Sequence, residues 1–253
     1  MVGVNLEEAE LELGAYPTLG DFFARKLRDG ARAIDPSPNS IISPCDGVIA
    51  ARGTAANGTL IQAKGRDYQL GQLLADESYA TQLTDGEYIT IYLSPRDYHR
   101  VHVPFDAEIL GYDFLPGALW PVNPLVASRR DELLSRNERV VIRLRLEGVL
   151  DNVPTYAALV MVGAAGVGNM RLGAWATGFK QSAELRPAGE RHRVQLEGVS
   201  VQRGDELGAF HLGSTVVLVF GRSLDSAASI QLLGEVGQAV RFGEPLGEAR
   251  LTP

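Results

Sequence analysis

Four residues of this chain have types and settings that could carry chemistry: one acid, two imidazoles and one hydroxyl. Asp46 lies in "SPCDG", His99 and His102 in "SPRDYHRVHVP", and Ser214 follows Gly213 in "HLGSTVVLVF". A serine hydroxyl becomes a nucleophile when an imidazole takes its proton, and a carboxylate can orient that imidazole and stabilise its charged form. Asp46, His102 and Ser214 supply the three parts. Such triads are defined by geometry rather than chain order, so the arrangement is permitted. Each residue also has a plain structural reading. Asp46 caps its own Pro-x-Asp-Gly turn, the histidines are satisfied packing residues, and Ser214 is a turn hydroxyl at the head of a strand. In an extended segment, positions 99 and 102 point to opposite sheet faces, which predicts different jobs for the two imidazoles. Ser214 lacks a G-x-S-x-G setting, which argues against an ordinary hydrolase.

The elements that must hold these residues are mainly strands. From Asp35 onward, runs such as "SIISPCDGVIAARG", "EYITIYLSP", "RVVIRLRLEG" and "YAALVMVGAAGVG" alternate with Pro, Gly and Asp-Gly turn signals. "LGQLLADESYATQL" interrupts them with a helical pattern. Residues 1–17 carry four Glu and little periodicity and read as a loosely attached lead-in. In "TLGDFFARKLRDG", Leu19, Phe22, Phe23 and Leu27 recur at helical spacing behind a Thr18/Asp21 start signal, and Gly30 closes the segment. That predicts a short amphipathic helix, docked on its own core or serving as an interfacial anchor.

Composition narrows the function classes. The chain has 253 residues, 45% of them apolar and 22% charged, ordinary values for a globular protein with a sizeable core. Net charge is -7 and Lys and Arg form no long block, so a nucleic-acid partner is not expected. Cys45 is the single cysteine, which rules out an intrachain disulfide and a multi-thiolate zinc site; no metal is expected. No apolar run reaches the roughly 18 residues of a membrane-spanning helix. The N-terminus is acidic where a secretory signal would be basic, so neither spanning nor export is expected.

"VQRGDELG" (201–208) and "VRFGEPLG" (240–247) share the pattern V-x-x-G-[DE]-x-L-G. Each reads as a strand, a Gly-bearing tight turn needing positive φ, and a second strand entering beside the first. Paired turns of this kind resemble those of lipoyl- and biotinyl-type barrel-sandwich domains. The expected fold is therefore mainly β (α+β), a barrel-sandwich-hybrid-like β core with a few short helices and the N-terminal amphipathic helix.

From about Phe22 to near the C-terminus the chain resembles the bacterial-type, pyruvoyl-dependent phosphatidylserine decarboxylase family. The likeness is carried by "FFARKLRDGARAID", "SPCDGVI", "IQAKGRDYQLGQLL", "YLSPRDYHRVHVP", "PGALWPVN", "RNERV", "VGAAGVG" and "GDELGAFHLGSTVVLVF". "YLSPRDYHRVHVP" and "LGST" are highly specific. The resemblance implies a proenzyme that cleaves itself between Gly213 and Ser214, with Ser214 attacking, His102 taking its proton and Asp46 orienting His102. Residue 214 then becomes a pyruvoyl group, the covalent cofactor. Phosphatidylserine condenses with it as a Schiff base, loses carbon dioxide and leaves as phosphatidylethanolamine.

The resemblance also implies His99 as proton donor, and Arg100 and Arg139 as partners for the substrate's phosphate or carboxylate. It divides the chain into a lead-in and membrane-contact helix (1–34) and a catalytic domain (35–253), cut into a beta chain, 1–213, and an alpha chain, 214–253. These two chains would form a heterodimer that itself pairs as a homodimer, held peripherally at the cytoplasmic face of the cell membrane. Many relatives begin with a longer apolar segment than this acidic lead-in. Two other classes share parts of the pattern: a barrel-sandwich phosphocarrier using His99 or His102, and an uncleaved Ser-His-Asp hydrolase. A lipoyl carrier fails because the only Lys beyond Gly178 is Lys180. Two chains from one polypeptide, or one, separate these readings.

Overall fold

A computed structural model of the chain describes residues 3–63, 66–147, 155–165, 169–176, 189–211, 214–222 and 228–251. Its strands, in chain order, are β1 (Ser40–Ile42), β2 (Gly47–Thr54), β3 (Thr59–Ala63), β4 (Arg66–Gln69), β5 (Glu87–Leu93), β6 (Arg100–His102), β7 (Ala107–Leu115) and β8 (Arg139–Leu146). They continue with β9 (Tyr156–Val162), β10 (Met170–Leu172), β11 (His192–Val201), β12 (Glu206–Phe210), β13 (Ser214–Phe220), β14 (Ala228–Leu232), β15 (Ala239–Val240) and β16 (Pro245–Leu251). The fold is mainly β, as the strand-like text predicts. An eight-stranded antiparallel sheet, β11-β7-β8-β9-β13-β5-β2-β15, carries the core, and two three-stranded sheets, β10-β12-β6 and β1-β16-β14, pack with it. β13 lies between β9 and β5 with all seven of its residues buried, which explains a near-continuous apolar run in place of alternation.

The repeated motif is built twice in the same way. Gly204 and Gly243 take φ of 95° and 91°, the left-handed region a Cβ disfavours. The closing glycines let strands approach: a Cβ on Gly208 would lie 2.4 Å from the Arg171 carbonyl oxygen, and one on Gly247 2.7 Å from that of Gln231. The two turns also anchor equivalent segments. Val103 N–H donates to Asp205 O at 2.8 Å and Ser43 N–H to Glu244 O at 2.8 Å. His102 N–H donates to Pro44 O and Ile42 N–H to Pro104 O, a reciprocal crossing at 2.8 and 2.9 Å. "VPFDAEI" (103–109) is thus the structural twin of "SPCDGVI" (43–49), a likeness of x-P-x-D-x-x-I that reading the sequence overlooked.

The helices are short: α1 (Leu19–Phe23), α2 (Leu70–Leu74), α3 (Glu77–Leu83), α4 (Pro124–Ala127) and α5 (Leu133–Arg136). α1 starts on the expected capping box, with Asp21 N–H donating to Thr18 Oγ1 and Thr18 N–H to Asp21 carboxylate. It stops at Phe23, well before Gly30. Strand-like pairing wins over helix propagation there: Glu10 N–H donates to Lys26 O, Arg28 N–H to Glu8 O, and Ala9 bridges Leu27. The lead-in is therefore tied down around a buried Ala9, where the sequence predicts loose attachment. Phe22 and Phe23 point into the protein, while Leu6, Leu11, Leu13 and Leu19 are exposed.

Candidate active site

Two strand ladders, β5–β13 and β6–β12, follow one another along the chain and stop on either side of residues 94–98. Ser214 pairs with Leu93 where β13 meets β5, and Phe210 N–H donates to His99 O where β12 meets β6. Between them, residues 94–98 and His211 belong to no strand, and Leu212 lies outside the described residues. Gly213 itself lies outside the described residues.

Around this break sit polar groups without partners. Ser214 is fully buried and its Oγ has no hydrogen-bond partner among the described residues. His99 is also fully buried, with neither ring nitrogen hydrogen-bonded and its ring 5.3 Å from that of Phe23. Burial, and then the Arg25 charge, holds its pKa down at about 4, so the imidazole is neutral at pH 7. Buried hydroxyl and imidazole groups normally find partners, and His211 Nε2 and Thr215 Oγ1 are unpartnered here as well, so the orphans gathered where the ladders end mark a place prepared for something other than packing.

Asp46 and His102 occupy the next layer and owe their positions to the two repeated turns. Asp46 Oδ1 accepts from Phe242 N–H at 2.9 Å, inside the second turn, and Arg32 grips both carboxylate oxygens, at 3.2 and 2.6 Å. His102 Nδ1 lies 2.8 Å from Gly204 O in the first turn, which makes it the protonated nitrogen and leaves Nε2 to accept from the Tyr98 hydroxyl at 2.9 Å. Burial lowers the His102 pKa, and the Gly204 bond partly opposes that. The Phe242 ring stacks on His102 at 3.7 Å. Asp46 and His102 therefore meet through Phe242 and share no hydrogen bond, and neither bonds Ser214. The two histidines face different surroundings.

Twinning separates what is scaffold from what is particular. Asp106, the twin of Asp46, also accepts from a turn N–H, that of Arg203 at 2.7 Å, so Asp46's bond to Phe242 is a device of the repeat. The buried Arg32 grip exists only on Asp46. His102 holds the position of Ile42 in the twin. Cys45 is fully buried and burial pushes its thiol pKa up, in keeping with a packing role.

Arg100 and Arg139 lie in different places. Arg139 donates to the carbonyls of Leu73, Asn137 and Gln72, fastening α2 to the start of β8. Arg100 donates to Ala24 O and Arg25 O, pairs with Glu206, and lines a cleft that reaches His211. Arg25, Lys26, Arg171 and His211 line that cleft too. Reading the sequence for single motifs missed these four; "FFARKLRDG" offered Arg25 and Lys26, whose meaning appears only once β10 brings Arg171 beside them. Among the described residues no cluster of His, Cys, Asp and Glu could hold a metal ion. No helix among them is long and apolar enough to cross a membrane.

Residues 19–248 match the family model described as phosphatidylserine decarboxylase. The chain is 39% identical to a phosphatidylserine decarboxylase proenzyme of Psychrobacter arcticus, over 98% of this chain and 84% of that protein. It is 40% identical to one from an Anaeromyxobacter species (98% and 83%) and 38% identical to one from Brevibacillus brevis (91% and 79%).

Proposed function

The chain belongs to the phosphatidylserine decarboxylase family, and on that premise we propose that it cuts itself between Gly213 and Ser214 and uses the resulting pyruvoyl group to convert phosphatidylserine to phosphatidylethanolamine. The observation that carries this reading is the shared break in the two ladders. It leaves Ser214, paired with Leu93 where one ladder ends, with an unpartnered hydroxyl, and His99, bonded to Phe210 where the next begins, with an unpartnered imidazole.

Ser214 Oγ attacks the carbonyl carbon of residue 213; the C–N bond breaks as the C–O bond forms, and the freed amine takes a proton. Loss of the Cα proton of residue 214 then expels residue 213 as a carboxylate and leaves dehydroalanine. Water replaces its nitrogen, releasing ammonia, and residue 214 ends as a pyruvoyl. The absence of any competing hydrogen bond at Ser214 Oγ suits it to this role. Once formed, the ketone supplies an electron sink for the pair left by departing carbon dioxide. His99, neutral in the resting protein, first takes up a proton and then delivers it to the reacting carbon, with the Phe23 ring 5.3 Å from its own.

In the self-cleavage step His102 takes the Ser214 proton, exchanging the Tyr98 hydroxyl for it at Nε2, while Asp46, fixed by Arg32, steadies the charge that develops. A second reading gives that proton to His99, and the ladder favours it because His99 is the imidazole next to the break with both nitrogens unengaged. His99→Ala and His102→Ala separate the two by which of them stops cleavage. The cleaved chains stay together because β13 remains clamped between β5 and β9. The heterodimer, its pairing as a homodimer and peripheral attachment to the cytoplasmic face of the membrane belong to the same proposal. The exposed leucines of the lead-in are the contact it would use.

The test is mass analysis of the purified protein. Two chains are expected, the smaller starting at residue 214 with a blocked N-terminus, and Ser214→Ala stays whole and inactive. An intact wild-type chain that still decarboxylates phosphatidylserine would overturn the mechanism.

A further inference from the structure

Arg25 is an anomaly of charge. Its side chain is buried, yet among the described residues no carboxylate lies within ion-pair distance of it. Two of its nitrogens reach only backbone carbonyls, of Arg96 at 3.3 Å and Asp97 and Phe22 at 3.1 and 3.5 Å, and its Nε has no partner. A buried cation without a counter-ion is strongly disfavoured unless an anion joins it. Arg25 lines a cleft of about 290 Å³ that reaches His211, three residues before Ser214. A volume near the lower end of the roughly 300–1,000 Å³ usual for small ligands fits a headgroup better than a whole lipid.

Further cations converge on the same cleft. In the three-stranded sheet Arg171 pairs with Ala209 and Ala209 with Arg100, so two arginines flank one small residue on one face. Lys26 joins them. Glu206 pairs with Arg100 and stands 3.5 Å from Arg171; Glu10 and Asp21 also line the cleft, but among the described residues neither lies within ion-pair distance of Arg25 or Lys26. Leu11, which is 46% exposed, also lines the cleft.

We infer that this cleft holds the substrate's phosphodiester, with Arg25 as its buried partner and Lys26 and Arg171 completing the site. This rests on the decarboxylase reading and names the residues that select a phosphorylated serine over a free one. The anion assigned to Arg25 is the phosphate rather than the carboxylate. An arginine on the carboxylate would stabilise the ground state more than a transition state in which that charge is leaving, and so slow the reaction. The acyl chains leave past Leu11 toward the bilayer.

The experiment uses Ser214→Ala protein, which needs no pyruvoyl, and calorimetric titration with glycerophosphoserine. Binding is expected, with inorganic phosphate competing. Arg25→Met should weaken it roughly tenfold or more, Arg171→Ala and Lys26→Ala each about threefold, and Arg25→Lys less than Arg25→Met. In the processed enzyme, Arg171→Ala should raise KM for monomeric dihexanoyl phosphatidylserine by a similar factor with little change in kcat. Arg250→Ala, which removes a distant exposed charge, should leave both unchanged. Unaltered glycerophosphoserine affinity in Arg171→Ala and Arg25→Lys overturns the inference, even if Arg25→Met does not fold. So does a loss seen only on phosphatidylglycerol vesicles, which would assign the cluster to the membrane surface. Wild-type protein that binds the probe normally but decarboxylates nothing would fault the decarboxylase reading alone.

Discussion

The neutral, buried His99 makes a specific demand on acid stability. Its pKa falls from 6.5 in the unfolded chain to about 4 in the folded one, because burial opposes the charge and Arg25 adds repulsion. Between those values the unfolded chain binds the extra proton, so stability rises with pH across the window and is lost as pH drops from 6.5 toward 4. At about 1.4 kcal/mol per unit, that amounts to about 3 kcal/mol, a large part of a typical 5–15 kcal/mol total. The measurement is urea unfolding at pH 7 and pH 4, on Ser214→Ala protein so that one uncut chain unfolds, with and without His99→Gln. His102 and His211 are shifted in the same direction but are present in both proteins, so they cancel in the comparison. The loss on acidification should be about 3 kcal/mol smaller in the His99→Gln protein. Equal losses would refute the claim that His99 is held neutral by its surroundings.

Arg32→Ala leaves the Asp46 carboxylate, 11% exposed, with the Phe242 N–H alone. A loss of about 3 kcal/mol is expected in urea unfolding, as for other broken buried pairs, and Arg32→Lys should recover little because it cannot grip both oxygens. Gly208→Ala sets a Cβ against the Arg171 carbonyl at 2.4 Å. It should destabilise by about 1–3 kcal/mol, and thermal unfolding of this variant at the wild-type midpoint would show that β10 and β12 can separate without penalty.

Strands, turns and the glycine repeat were legible because each is a local pattern: alternation or apolar runs for strands, and V-x-x-G-[DE]-x-L-G for a turn that needs positive φ at Gly204 and Gly243. α1 was legible at its start and not at its end. The Thr18/Asp21 box is local, whereas termination depends on residues 8–10 arriving from outside the helix to pair with 26–28. The site divides along the same line. Ser214, His99, His102 and Asp46 announce themselves by type, but that Asp46 is gripped by Arg32 and that His102 is tied to Gly204 O depends on contacts between distant segments. Arg25 has no local signal in "FFARKLRDG"; only its burial, with no carboxylate among the described residues within ion-pair distance, sets it apart.

The twinned architecture shows how chemistry can arise from a symmetric scaffold. Both halves use an aspartate to catch a turn N–H, and both cross reciprocally through residues 42–44 and 102–104. In one half the position that holds buried Ile42 in its twin is His102, and in the other the exposed Asp106 is matched by a buried Asp46 with its own arginine. The two departures meet at Phe242, whose N–H binds Asp46 and whose ring covers His102. If those departures serve self-cleavage, shortening Phe242 to Ala should slow cutting at Ser214 more than Arg203→Ala, its twin substitution, does. Gel assay of the uncut fraction over time measures both rates. Equal rates would return Asp46 and His102 to the scaffold and leave His99 as the base.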